Sequence, residues 1–388
     1  MGLRVFICVL LVSLPVAGFA QQGTVPGAPG AEPVLQPRPP KADDAEGRIR
    51  LDVVVTEKKG GPVAGLERRE FAILDERKTQ EIVSFQETEG RGASAQGLEV
   101  ILVLDLVNSS FEQASAARVQ IGKFLARNGG RLDYPTSMMV LSEEGLHIQP
   151  RPSTDGSALA AVLERESAAG HSAGLGEVGR FQLSVRALAS IAENEVKSKA
   201  RKILIWTGPG WPMLAGASFG SSSQDRQRTF DTIVEISNRL REARIALYSI
   251  PLPGSPKTGA PSLVSQPHGG MMPASEAPGQ SGSGPVMSDT AEAPSYKAFL
   301  RGVKSARQAE MGDLALQVFA VQSGGRVLDP SNDLAGQIAS CVDDLSAFYT
   351  LSFTPADAGH PGDYHELKVQ VGRPGVVVRS SVGYYSQP

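Results

Sequence analysis

Gly216-Ala217-Ser218-Phe219-Gly220 spells the G-x-S-x-G of a nucleophile elbow. In such an elbow a serine on a sharp strand-to-helix turn attacks an acyl carbon, with a histidine as base. His268, His360 and His365 follow later in the chain, so the order a hydrolase needs is present. The elbow also needs a buried strand ending at the motif. Here the nearest apolar run ends near Thr207, and Ser218 lies in Gly/Ser-rich sequence. His360 and His365, with Asp357 and Asp363, could be drawn as a metal site, but they match no helix-borne ligand spacing and are expected as solvated loop residues. Gly174-Leu175-Gly176 and Gly208-Pro209-Gly210 lack the lysine and spacing of a phosphate cradle, and Pro209 has no N–H to give. These patterns point away from an enzyme. A serine hydrolase stands as a third reading behind the two binding readings below.

The elements that must position such residues alternate between strand and helix. Residues 98–106 are almost continuously apolar, as are 202–207 and 245–250. Such runs suit central strands of a parallel sheet, buried on both faces. Further strands are expected at 137–141, 146–148 and 326–328. Helices are expected at 111–127, 156–167, 181–193, 228–243, 306–323 and 332–346. Before this block Ile49, Leu51, Val53 and Val55 alternate with outward positions, and 71–74 and 82–85 add short strands. After it come strands at 348–353, 364–371 and 376–380. A small β unit is not stable alone, so the two chain ends are expected to pair.

Composition sets the compartment and narrows the partners. The 388 residues carry 38 basic and 41 acidic side chains, a net charge of −3. That balance argues against nucleic acid and against a polybasic membrane contact. Residues 1–20 read as a secretory signal: one positive charge, a short apolar run, and small residues before Gln21. Its removal takes away Arg4, so the processed chain would carry −4, and it would be periplasmic or secreted. No later apolar run of about 18 residues predicts a membrane span. Residues 21–46 are Pro-rich and read as a linker, and 251–296 as a disordered surface loop. Outside the signal only Cys341 remains, which excludes an intramolecular disulfide and a multi-cysteine metal site. It is expected as a buried small hydrophobe.

A buried strand ending in Asp105, followed by Asn108-Ser109-Ser110 and a helix, resembles a von Willebrand factor A (vWA) domain. The resemblance extends further. The segment Leu51-Asp52-Val53-Val54-Val55-Thr56 with Pro62-Val63, Gly65-Leu66, Glu70-Phe71 and Gln80-Glu81-Ile82 is similar to the VWFA-related family of exported bacterial proteins, found mainly in acidobacteria. So are Arg201-Lys202-Ile203-Leu204-Ile205-Trp206, Tyr349-Thr350-Leu351-Ser352-Phe353-Thr354-Pro355, Arg373-Pro374-Gly375 and Gly383-Tyr384. Together they span about 49–385.

The resemblance implies an α/β fold: a doubly wound, mostly parallel vWA-like sheet inserted in a small β-sandwich of N- and C-terminal strands. The expected segments are an N-terminal β unit at 47–90, the vWA-like domain at 97–346 and C-terminal strands at 347–386. It also implies a cation, Mg²⁺ or Ca²⁺, held by Asp-x-Ser-x-Ser with a threonine and an aspartate from later loops. Hard oxygen ligands suit such ions, and the carboxyl edge of a doubly wound sheet is where ligands bind. Asp105 and Ser109 match that pattern and Asn108 is a substitute, but Val107 replaces a serine and Trp206-Thr207-Gly208 brings no aspartate. The cation set is therefore degenerate, and Asp105 is expected to cap the following helix instead. Trp206 is expected in the core. The partner surface is expected on loops 105–110, 176–180 and 208–214, with Ser110, Gly208, Trp211 and Met213 contributing and Trp211 exposed. The resulting expectation is an exported, non-enzymatic module that binds an unidentified protein or envelope ligand. A cation-dependent adhesion domain with substituted ligands is the second reading.

Overall fold

A computed structural model describes residues 47–387 except 59, 93–96, 150, 166–174, 215–221, 256–262, 265–294 and 356–358. The signal and linker segments, the Ser218 motif and His268 lie outside the described residues, as does most of 251–296. In chain order the first elements are β1 (Ile49–Glu57), β2 (Phe71–Asp75), β3 (Lys78–Gln80), β4 (Ser84–Glu89) and β5 (Leu98–Asp105). Then come α1 (Phe111–Leu125), the single turn α2 (Arg127–Gly130), β6 (Arg131–Ser142), β7 (Gly145–Ile148), β8 (Ser153–Asp155), α3 (Gly156–Arg165) and α4 (Glu177–Glu195). They are followed by β9 (Arg201–Thr207), β10 (Met213–Leu214), α5 (Ser223–Glu242), β11 (Ile245–Ile250), β12 (Leu263–Val264), α6 (Leu316–Gln322), β13 (Arg326–Val327) and α7 (Leu334–Val342). The last are β14 (Ala347–Phe353), β15 (Tyr364–Val371), β16 (Val376–Arg379) and β17 (Gly383–Tyr385).

The continuous apolar runs form the centre of a seven-stranded sheet in the order β13-β11-β9-β5-β6-β7, with β8 also on β6. The inner pairs are parallel, and β7 and β8 run antiparallel to β6. Alternate residues of β5 feed opposite layers, as the two-residue period of a strand requires. Val100, Leu102 and Leu104 pack with Ile121 and Leu125 of α1 and Ile338 of α7. Ile101 and Val103 pack with Leu188 of α4 and Ile233 of α5. Helices therefore cover both faces, which is what strands without a polar side need. Cys341 is buried in the α7 layer, as expected, and burial pushes its thiol up to about 12.

The chain ends pair with each other. One antiparallel sheet has the order β16-β1-β14-β4 and the other β17-β15-β2-β3. They share an apolar cluster that includes Leu51, Val53, Ile73, Leu351 and Val369. Val54, on the opposite face of β1, belongs instead to the layer beneath the parallel sheet.

Several expectations change. Residues 78–80, between the strands expected at 71–74 and 82–85, form β3, and β4 runs over Ser84–Glu89 rather than 82–85. The β2–β3 hairpin turns through Glu76 and Arg77, both at positive φ. That turn normally advertises itself with Asn or Gly; here Glu76 is held by the backbone N–H of Glu366 and by Lys304. The helix expected at 306–323 breaks into 3-10 turns at Ala306–Gln308 and Met311–Leu314 before α6. A Glu310/Asp313 capping box restarts it from within, which ends any continuous ladder. Within 251–296, Leu263–Val264 form a two-residue parallel ladder with Met213–Leu214.

Candidate functional site

Numbered along the sheet's own strands, the order β7-β6-β5-β9-β11-β13 reads 3-2-1-4-5-6. The chain leaves β5 toward β6 on one side and returns at β9 on the other. The carboxyl ends of β5 and β9 are therefore the topological switch point, the place where such sheets open a crevice. Asp105 ends β5 and Thr207 ends β9.

The crevice is filled by side chains of the chain itself. Asp105 is fully buried. Its Oδ2 accepts from Trp206 Nε1 at 3.0 Å and from Asn108 Nδ2 at 2.8 Å, and its Oδ1 accepts from the Asn108 backbone N–H at 3.0 Å. Parallel register sets Val103 beside Trp206, so the long indole reaches two residues along β5. Asn108 Nδ2 also donates to Ser184 Oγ at 2.9 Å, and Ser184 Oγ donates to the Arg180 carbonyl. Ser109 Oγ donates to the Asp105 carbonyl. Gly208 lies flat against the carboxylate: a Cβ there would stand 2.8 Å from Asp105 Cβ. Burial pushes the Asp105 carboxyl above the ordinary carboxylate range, and the donated hydrogen bonds pull against that without cancelling it.

This donor set does not fit Mg²⁺ or Ca²⁺. The groups aimed at Asp105 are N–H dipoles, positive ends that occupy the lone pairs a cation would take. The Ser109 hydroxyl is turned to a backbone carbonyl, and Val107 is packed in the core. Among the described residues no group of three His, Cys, Asp or Glu converges.

The expected site residues divide. Asp105, Asn108 and Ser109 lie together, joined by hydrogen bonds to Asp105. The cap of α1 is Ser110, not Asp105: its Oγ accepts from Gln113 N, and Gln113 Oε1 accepts from Ser110 N in return. Trp211 is not an exposed patch. It is 3% exposed and packs edge-on against Trp206, ring centroids 5.3 Å apart. The Gly208-Pro209-Gly210 turn folds it back over the crevice, and Gly210 takes a positive φ against the Gln317 amide. The Met213 side chain lies outside the described residues. His365 is not a solvated loop residue: it sits in β15, its Nδ1 3.2 Å from Asp75 Oδ1, stacked on Tyr384. His360 is exposed beside Asp363, and Asp357 lies outside the described residues.

Sequence reasoning missed Ser184, the Trp206 N–H and the role of Gly208. A tryptophan at the penultimate position of β9, one strand from a terminal aspartate, was the available signal.

No family model matches the chain, and no curated protein matches it. Solved structures do. The manganese-loaded TRAP protein of Plasmodium vivax is 10% identical, with 77% of this chain and 97% of that one covered at a TM-score of 0.30. The human COPII-coat protein Sec24c is 7% identical, covering 78% and 46%, also at 0.30. Proximal thread matrix protein 1 from the mussel byssus is 12% identical, covering 45% and 41%, at 0.27. This chain thus spans under half the length of the mussel and human proteins. Likeness at this depth says nothing about ligand or activity.

Proposed function

We propose that this chain is an exported, non-enzymatic binding module of the vWA type, with a carboxyl edge that works without a cation. The observation that carries the reading is the closed hydrogen-bond set on Asp105, in which Trp206 and Asn108 supply what a metal would otherwise supply. The edge is then rigid before any partner arrives, and a preorganised surface loses less entropy on binding. With Trp211 buried, Phe111 is an exposed apolar group among the described residues at this edge, 59% exposed at the start of α1, next to the Ser110 cap. The partner would be an envelope protein or ligand that meets the 105–111 and 176–180 loops.

The test is capture of a partner from the envelope fraction, run with and without a chelator, beside Mg²⁺ and Ca²⁺ calorimetry. The reading expects no heat of cation binding, capture indifferent to chelator, and loss of capture on Phe111→Glu with the melting temperature unchanged. Micromolar cation binding, with capture abolished by chelator, would establish the cation-dependent reading instead.

A further inference from the structure

The outer face of α1 carries a different feature. Helix α1 packs beside α3 and α7 on one side of the parallel sheet. It buries Ala114, Ala117, Ile121, Phe124 and Leu125. At 3.6 residues per turn, the line directly opposite that buried side is Glu112, Ala116, Val119 and Lys123. All four are exposed, Val119 at 60%.

The solvent side of a surface helix is normally polar. Helix α5, on the other face of the sheet, obeys this: Gln224, Gln227, Arg228 and Asp231 are its exposed positions there. On α1 a valine and an alanine hold the middle of the outer line, and one charge of each sign holds each end. A lone exposed valine is ordinary; the symmetry of the line is not. It reads acid, small, large, base. Turned end for end about a point between Ala117 and Arg118, it meets itself. Glu112 falls opposite Lys123, and Ala116 opposite Val119. Residues four, three and four apart are also the spacing of a seam between two packed helices. A parallel copy in register would set Glu112 against Glu112 and Lys123 against Lys123, so only the antiparallel arrangement matches charges. Glu112 Oε2 accepts from Ser110 Oγ at 2.9 Å, which orients the carboxylate without neutralising it.

We propose that a second copy of this chain docks on this line, α1 against α1 in antiparallel register about a two-fold axis. That is the self-complementary contact of a closed dimer, in which each residue meets the other's counterpart. The seam covers about three helical turns, less than a standard interface, so the dimer is of the weak, reversible kind. Exposed ion pairs add little affinity. They fix orientation, while Val119 seated over Ala116 supplies the apolar contact. Phe111 stands about 100° round the helix from Glu112, so this face is separate from the loops assigned above to an envelope partner.

The test is sedimentation equilibrium of the full chain from micromolar to millimolar concentration. A monomer–dimer equilibrium is expected. Val119→Lys should weaken it about tenfold with the melting temperature unchanged, since the side chain is exposed. If that variant melts early, Val119→Ser should still weaken it about threefold. Glu112→Lys and Lys123→Glu, each alone, should weaken it about fivefold by opposing like charges, and the double reversal should restore it. A monomer at every concentration would overturn the proposal. So would association that the Val119 variants leave unchanged, or a double reversal no stronger than the single ones.

Discussion

At the carboxyl edge of the parallel sheet, Asp105 is met only by neutral N–H groups. At the amino edge, Asp52 is met by the Arg244 guanidinium, with Arg201 3.8 Å away. Both carboxylates are largely removed from water, yet they end in opposite electrostatic states. Burial would raise Asp52 as it raises Asp105, but the Arg244 and Arg201 charges outweigh burial and hold Asp52 below its usual range. Dipoles satisfy geometry, whereas full charges also offset desolvation. One edge is therefore closed by dipoles, and the other is held by full charges.

The largest test of this contrast is Asp52→Ala. It would leave Arg201 and Arg244 close together without their shared counter-charge. Breaking a buried pair from one side costs about 3 kcal/mol or more, and denaturant unfolding should read a loss of that size. An unchanged unfolding free energy in Asp52→Ala would break the comparison.

Gly208→Ala comes next. The added methyl meets Asp105 Cβ at 2.8 Å; Asp105 ends β5 and the Gly208 N–H is tied to the Ile250 carbonyl, so neither can yield cheaply. Overpacking of this kind costs about 2 kcal/mol. The expected readout is a lower unfolding midpoint with an unchanged denaturant slope. No change in midpoint would mean that the carboxyl edge is looser than its hydrogen bonds suggest.

The pH dependence should differ in sign. Asp52 has a depressed folded pKa, so its stabilisation is complete above the unfolded value and is lost as pH falls through the folded one. Asp105 has a raised folded pKa, so its contribution worsens as pH rises above the ordinary carboxylate range. Unfolding measured from pH 3 to 7 should show Asp52→Asn flattening the acid-side loss. Asp105→Asn should remove a decline toward neutrality. Parallel shifts in the two variants would contradict the opposite assignments.

How much of this was legible depended on how local the signal was. β5, β9 and β11 were readable because strands buried on both faces need apolar residues at nearly every position, and Tyr364–Val371 because one buried face needs alternation. Asp105, Asn108 and Ser109 were readable as a cluster since they lie within five residues. The Glu76-Arg77 turn was not, because its left-handed backbone is held by Glu366, about 290 residues away. Nor was the Asp52–Arg244 pair. Asp52 lies among the outward positions of an alternating strand and Arg244 just past the helix expected at 228–243. Their 192-residue pairing is a product of the fold, not of any pattern near either one. Trp211 was misplaced for a related reason: an apolar residue beside a Gly-Pro-Gly turn gives no local sign of which way the turn folds back.

The smallest expected effect, on cation binding, is the most specific to the closed edge. Trp206→Phe removes the N–H that reaches Asp105 together with part of a fully buried indole. Asn108 still donates twice to the carboxylate, so the polar loss is one hydrogen bond, about 1 kcal/mol, and the smaller ring adds a packing loss. The informative measurement is Mg²⁺ calorimetry on this variant. Freeing one lone pair of Oδ2 removes a competitor but creates no second carboxylate, and hard cations need several converging oxygens. Trp206→Phe should therefore destabilise the fold and still give no heat with Mg²⁺. Tight Mg²⁺ binding in the variant would mean that the indole alone keeps a cation out and that the remaining oxygens already converge. The two edges would then differ by a single N–H rather than by construction.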